Sequence, residues 1–319
     1  MLTRRGLYCP PGDFYIDPAR GVKHAVITHA HGDHLCADSS RMLLAAAGVG
    51  IARKRLKDAR HLGALEYGEP VNFGAVRVSL HPAGHILGSS QVRLEHEGQV
   101  WVVSGDYKRQ ADPTCAPFEP LRCDVFVSES TFGQPHFVWP HTPDVVGNIV
   151  RWWHINRERG HNSVLFCYAL GKAQRVLAEL LAHSTETVHV HGEIATLVQV
   201  YREAGIAMAP TQSVTAAAAA QLEGALILAT PTQARAAWLR RLGRGTRGFC
   251  SGWMLLEGES RRRGYDMGFV ISDHADWPAL VGTCRESGAR RVLLMHGRTE
   301  RLAAHLLELG IQASALTPS

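Results

Sequence analysis

Between Gly21 and Asp106 apolar residues fall in short runs or alternate with polar ones: VKHAVITHA (22–30), AVRVSLHPA (75–83), SSQVRLEHEG (89–98) and QVWVVSGDY (99–107), separated by glycine-rich turns. Period-two alternation over such lengths predicts strands with one buried face. Several of them end in a ligand-type side chain: Asp17 after Phe14-Tyr15-Ile16, His29 after Ala25-Val26-Ile27, His85 after Leu80, and Asp106 after Val102-Val103. A sheet whose edge loops aim polar groups at one place is the implied architecture. CDVFVSEST (123–131) predicts one more buried strand.

Beyond it the period changes. Residues 136–265 carry helical patterns, VVGNIVRWWHINRERG and GKAQRVLAELLAHS, alternating with the strand-like SVLFCYA, ETVHVHG and GALILATP. That alternation predicts an α/β unit of its own. The chain then returns to strands ending in ligand types, MGFVISDHAD and RRVLLMHG, each followed by a helix. The expected division is one domain of residues 1–133 plus 269–319, with a second of 134–268 inserted into it. Within the insert, Ala216–Ala220 is expected to open a helix and HVHG (189–192) to belong to a strand. ARKRLKDAR (52–60) is expected to be a helix surface.

Composition changes this picture little. Of 319 residues, 45% are apolar, enough for a sizeable core. No uninterrupted apolar stretch reaches the roughly 18–20 residues that span a bilayer, and the basic start MLTRRGLYCPPGDFY has no apolar run behind it. The expected location is the cytoplasm, with no membrane partner. Seven cysteines without a C-x-x-C pair fit reduced thiols, most of them small core residues, better than a disulfide frame. The formal charge of +5 is too mild to name a partner, but its distribution is uneven. Arg235, Arg240, Arg241, Arg244, Arg247 and Arg261–Arg263 crowd late in the insert.

The densest chemistry is THAHGDH (28–34), three histidines and an aspartate in seven residues after an apolar run. His29, His31, Asp33 and His34 lie too close in sequence for one tetrahedral structural site and have no cysteine beside them. Splitting them between two ions about 3.5–4 Å apart makes better sense, and further ligands must then come from elsewhere, including a bridging carboxylate. His85 in PAGH and Asp106 in SGDY are the candidates. A donor set of nitrogen and carboxylate oxygen without thiolate suits zinc or manganese alike.

THAHGDH, with Asp17 before it and His85 and Asp106 after it, resembles the metallo-β-lactamase fold. SEST (128–131), SDHAD (272–276) and LLMHG (293–297) resemble the three extra motifs of its β-CASP branch, which acts on nucleic acid. More narrowly, GLYCPPGDFYIDP, VSGDYKRQADPTCAPFEP and YALGKAQR are similar to the bacterial ligase-associated DNA exonucleases, and the similarity extends over nearly the whole chain. The resemblance implies an αββα sandwich with an inserted α/β β-CASP domain, the substrate held between them. It implies two divalent ions, zinc or manganese, one on His29, His31 and His85, the other on Asp33, His34 and His296, with Asp106 across both. Asp17 then orients a histidine ligand by its hydrogen bond. Water acidified by the two cations attacks phosphorus in line. His274 stabilises the scissile phosphate or protonates the leaving oxygen, while Glu129 fixes the state of its imidazole.

That reading makes the basic positions candidates for phosphate contact. They are Lys108 and Arg109 beyond Asp106, Lys172 in the LGKAQ turn, Ser272, and Arg261, Arg262 and Arg263, with Trp253 as a stacking residue. Ser272 and Asp273 are also typical N-cap residues ahead of WPALVGTC. The implied function is DNA exonuclease digestion in repair, functionally associated with a DNA ligase and a helicase. His296 points the other way, because in the broader branch a histidine there accompanies RNA cleavage, so an RNA endonuclease or processing enzyme is the first alternative. A small-molecule hydrolase of the lactonase or thioesterase type shares the first ligand motifs but has no use for the insert, Glu129 or His274. A metal-free nucleic-acid-binding subunit would have no use for the full ligand set.

Overall fold

The structure, a computed structural model, describes residues 1–56, 58–215 and 217–317. The chain divides into two compact units: unit 1 is Met1–Val138 with His274–Ser319, and unit 2 is Trp139–Asp273.

Unit 1 begins with a sheet whose strands are neighbours in chain order: β1 (Leu2–Thr3), β2 (Gly6–Cys9), β3 (Phe14–Ile16), β4 (His24–Val26), β5 (Arg41–Ala45) and β6 (Leu62–Leu65). The first three pair antiparallel and the rest parallel. Helix α1 (Val49–Arg55) follows β5 and buries Ile51 and Ala52. It takes in only the first part of the basic stretch 52–60, and Lys57 lies outside the described residues. A second sheet starts with the meander β7 (Pro70–Phe73), β8 (Val76–Pro82), β9 (Ser90–His96) and β10 (Gln99–Val103), antiparallel throughout, and continues in parallel to β11 (Val125–Glu129). Every residue of β11 is buried, as expected for a strand covered on both faces.

Unit 2 is a parallel sheet with helices between its strands. It comprises α2 (Thr142–Glu158), β12 (Asn162–Phe166), α3 (Lys172–Leu180), β13 (Val188–His191), α4 (Glu193–Glu203), β14 (Thr211–Val214), β15 (Leu226–Ala229), β16 (Gly245–Cys250), α5 (Glu259–Arg262) and β17 (Met267–Phe269). The strand order is β14-β13-β15-β12-β16-β17. One face packs Val164, Phe166, Ile227, Ala229 and Phe249 with Trp238, Leu239 and Tyr265. Truncating a side chain such as Phe166 to alanine in that core costs about 3–5 kcal/mol. Ala218–Gln221 is a 3-10 turn, not the expected helix, and Ala216 lies outside the described residues.

The chain re-enters unit 1 at α6 (Trp277–Glu286), β18 (Arg291–Met295), α7 (Thr299–Glu308) and β19 (Gln312–Ala315), which complete the second sheet as β19-β18-β11-β10-β9-β8-β7. One core joins the two sheets of this unit, Phe14, Ile16, Val26 and Ala45 meeting Val78, Leu80, Val92, Val103 and Val127. On the other face of the second sheet, Val102, Phe126, Val292 and Leu294 pack on Leu280, Cys284, Leu302 and Leu306 of α6 and α7. Of the seven cysteines, only Cys167, Cys250 and Cys284 are buried; the other four are partly exposed, fewer core thiols than expected. Among the described residues no helix is long and apolar enough to cross a membrane.

Candidate metal centre

The ligand-type residues leave strand ends of unit 1: Asp17 follows β3, Thr28 and His29 follow β4, His85 follows β8, Asp106 follows β10, and Glu129 closes β11. His296 follows β18. Two of these positions hold a left-handed backbone without being glycine, Asp17 at φ 44° and His296 at φ 59°. Strain of this kind persists only where the surroundings over-determine it, and it concentrates at functional sites. Gly105, at φ 56°, lets Asp106 approach, since a Cβ there would come within 2.7 Å of the Thr28 side chain.

Four histidines pack ring against ring. The centroid of His29 lies 4.0 Å from His34, 4.7 Å from His85 and 4.8 Å from His31. His29, His31, His85 and Asp106 each present a donor atom within 4.8 Å of the others, and so do His34, Asp106 and His296. Asp106 Oδ2 lies 3.5 Å from both His29 Nε2 and His34 Nε2, and 3.8 Å from His85 Nε2. Asp33 stands apart, its side chain 81% exposed and its Oδ2 3.8 Å from His34 Nε2.

A relay that sequence reasoning did not name sets the tautomers. The Thr28 hydroxyl donates to Asp17 Oδ2 at 2.5 Å and so accepts from His29 Nδ1–H at 3.0 Å. Asp17 also accepts from the Thr28 amide and from His34 Nδ1–H, each at 2.7 Å. Both imidazoles thereby turn Nε2 toward Asp106, and that of His29 presents a lone pair. His29 Nε2 is buried and, among the described residues, has no hydrogen-bond partner. An orphaned buried acceptor facing a carboxylate is what a divalent cation satisfies, so the residues fit a metal. The only hint of the relay in the sequence is the hydroxyl residue opening THAHGDH.

Electrostatics agree with this geometry. Burial, followed by neighbouring His34, holds His29 well below the usual imidazole range. For His34 burial acts downward, but Asp17 and then Asp106 outweigh it and raise the imidazole to about 11. Burial would raise Asp106, yet His274, His34 and His29 together keep its carboxyl well below the usual range. A lone pair so attractive to a proton is equally open to a metal cation.

Beside this cluster, His274 Nδ1 lies 2.9 Å from Glu129 Oε2 and 3.1 Å from Oε1. Glu129 is buried and also accepts from the Tyr107 amide at 2.7 Å. The His274 ring is 4.9 Å from that of His85, and Asp106, Glu129 and His274 form a further convergent group.

The basic candidates divide into buried and exposed positions. Lys108 is buried. Lys172 is buried as well, its ammonium 2.6 Å from Asp273 Oδ2, and Ser272 is buried with its carbonyl accepting from Arg175. None of the three is exposed, and packing within unit 2 engages the Lys172 ammonium and the Ser272 carbonyl. Arg109 donates to Glu286 at 2.7 Å and to Thr283 at 3.0 Å. Arg262 and Arg263 both bind Glu259 and, like Arg261 and Trp253, are exposed. The cap of α6 is Asp276, which accepts from the Ala279 amide, not Ser272 or Asp273.

No family model matches the sequence. Over 313 residues the chain is 32% identical to a probable DNA ligase of Opitutus terrae, covering 98% of this chain and 30% of that protein. It is 32% identical over 126 residues to ribonuclease TTHA0252 of Thermus thermophilus, covering 39% of this chain and 28% of the relative. With endoribonuclease YSH1 of Saccharomyces cerevisiae it shares 29% over 117 residues, 35% of this chain and 14% of the relative. The chain therefore spans less than a third of the length of each of these relatives. Its fold is like that of a protein of unknown function from Enterococcus faecalis V583, with a TM-score of 0.63 at 14% identity over 93% of this chain and 79% of the other.

Proposed function

This chain is homologous to nucleases of the β-CASP branch of the metallo-β-lactamase fold, and from that premise we propose that it is a two-metal phosphodiesterase, a DNA exonuclease acting in repair in the cytoplasm. On this reading unit 1 is the αββα sandwich and unit 2 the inserted β-CASP domain. The observation that carries the reading is the buried, partnerless His29 Nε2 aimed with His34 Nε2 at Asp106. His29, His31 and His85 would hold one ion, His34 and His296 with Asp33 the other, and Asp106 would serve both. Two divalent cations, zinc or manganese, supply Lewis acidity and a water made acidic enough to act at neutral pH.

The remaining roles belong to the chain's own side chains. Asp17 and Thr28 keep protons on the Nδ1 atoms of His34 and His29, so the opposite nitrogens stay free as donors to metal. Glu129 holds His274 by Nδ1, leaving Nε2 to carry a proton to the departing oxygen. A functional link to a DNA ligase is supported by the name of the Opitutus relative. The helicase association rests on the resemblance alone.

A second reading, cleavage of RNA, is favoured by His296 and by the ribonuclease names of the Thermus and Saccharomyces relatives. One assay separates the two: 5′- and 3′-labelled single-stranded DNA and the matching RNA, each with zinc or manganese, and Asp106→Ala as control. Stepwise DNA shortening that the control lacks is the expected result. Internal cuts in RNA with DNA untouched would overturn the DNA reading in favour of the second.

A further inference from the structure

Unit 2 has a place of its own where chemistry converges. Its sheet is parallel, and from β12 the chain first builds β13, β14 and β15 to one side, then β16 and β17 to the other. Open parallel sheets receive ligands beyond the carboxyl ends of their strands, where the connections diverge. Here that place lies between β12 and β16, which run side by side with Phe166 opposite Phe249.

Among the described residues only two large aromatic side chains are exposed, Tyr168 at 53% and Trp253 at 37%. Tyr168 leaves β12 two residues past Phe166, and Trp253 leaves β16 three residues past Cys250. Among the described residues the two exposed rings of Tyr and Trp thus flank the point of divergence. Each is held in ordered backbone. Trp253 sits in the 3-10 turn Gly252–Leu255, where Ser251 Oγ accepts its amide hydrogen at 3.4 Å. Tyr168 lies beside the Lys172 ammonium, 5.5 Å from its ring centroid. α5, which packs on the turn bearing Trp253, adds the exposed Arg261 and Arg262.

We propose that this edge is a stacking platform for the bases of single-stranded nucleic acid, Tyr168 and Trp253 receiving base faces and Arg261 a backbone phosphate. The inference rests on the phosphodiesterase reading, which requires a polyanionic strand, and deepens it toward single strands. Aromatic rings beside positive charge suit a strand whose bases are unpaired, whereas a duplex keeps those faces in its own stack.

The test is binding of a fluorescein-labelled 12-residue oligothymidylate to the full chain carrying Asp106→Ala, which prevents digestion. Tyr168→Ala and Trp253→Ala should each weaken binding about tenfold. Tyr168→Phe and Trp253→Phe, which keep a ring, should restore most of it, a recovery that a merely structural defect would not give. An abasic strand of equal length should bind weakly and ignore all four substitutions. Equal affinity for abasic and base-bearing strands, or affinity indifferent to the alanine changes, would overturn the platform. Hydrolysis of bis(4-nitrophenyl) phosphate by the unsubstituted chain reads the metal centre separately, since this diester has no nucleobase. Its absence with both metals would sink the phosphodiesterase reading, whereas turnover alongside ring-independent strand binding would sink the platform alone.

Discussion

Two buried polar clusters, one in each unit, use the same kinds of residue to opposite ends. In unit 2 Lys172 meets Asp273 at 2.6 Å, and Arg175 donates to the Ser272 carbonyl and to Thr142 Oγ1 at 2.6 Å. There the Lys172 ammonium and the Arg175 guanidinium each face an oxygen acceptor. In unit 1 the Nδ1 hydrogen bonds run outward to Thr28 and Asp17, and what converges inward is metal-ligand atoms: His29 Nε2, His34 Nε2 and Asp106. Clustering of charge therefore says little about function. The direction of the donors and acceptors separates a network that stabilises the fold from one that needs a cation to complete it.

The largest expected break in this contrast comes from Asp106→Ala. Removing the carboxylate shared by both ligand groups should abolish nucleolytic turnover and lower metal content well below that of the unsubstituted chain, read by elemental analysis of dialysed protein. Turnover with metal content unchanged would show that Asp106 is not shared. His274→Ala should keep the metal and slow cleavage about 10²–10⁴-fold, as expected for a lost general acid. If metal is lost as well, His274 is itself a ligand.

In unit 2 the effect should fall on stability. Asp273→Ala strands the Lys172 ammonium in a buried site, and breaking such a pair costs about 3–5 kcal/mol, measured by urea unfolding. Replacing both partners by apolar residues should recover most of that loss, and a double variant as unstable as the single one would contradict a closed pair. The smallest change is Asp17→Asn, chosen because asparagine tolerates the positive φ at this position. Neutralising the carboxylate behind His34 should weaken metal binding about 10–100-fold, followed by competition with a chelating dye. An unaltered affinity would reduce the Asp17 relay to a structural role.

The metal cluster was largely legible in the sequence because its residues end strands whose alternation is visible: His29, His85 and Asp106 each close an apolar pattern. Glu129 and His274 were named by motif resemblance, and no local pattern could bring together side chains 145 residues apart. The burial of Lys172 was illegible for a related reason. A sequence shows that Lys172 is charged but not that Asp273, 101 residues later, buries it. The α6 cap was misassigned because Ser272 and Asp273, good capping types, are already engaged in unit 2, leaving Asp276 to serve. Ala216–Ala220 has high helix propensity, yet tertiary packing confines its described part to a 3-10 turn.

The Lys172–Asp273 pair also bears on how the protein is made. Its cation sits at the start of α3 and its anion is the last residue of unit 2, so the bond cannot form until nearly the whole unit has been synthesised. At the roughly 5–20 residues per second of translation, the nascent chain waits about 5–20 seconds with an unneutralised lysine at a position destined for burial. Until then water must keep access to that corner, even though β12 beside it is already made. A chain released before Asp273 would retain every strand of unit 2 and lack the charge that neutralises Lys172 at the start of α3.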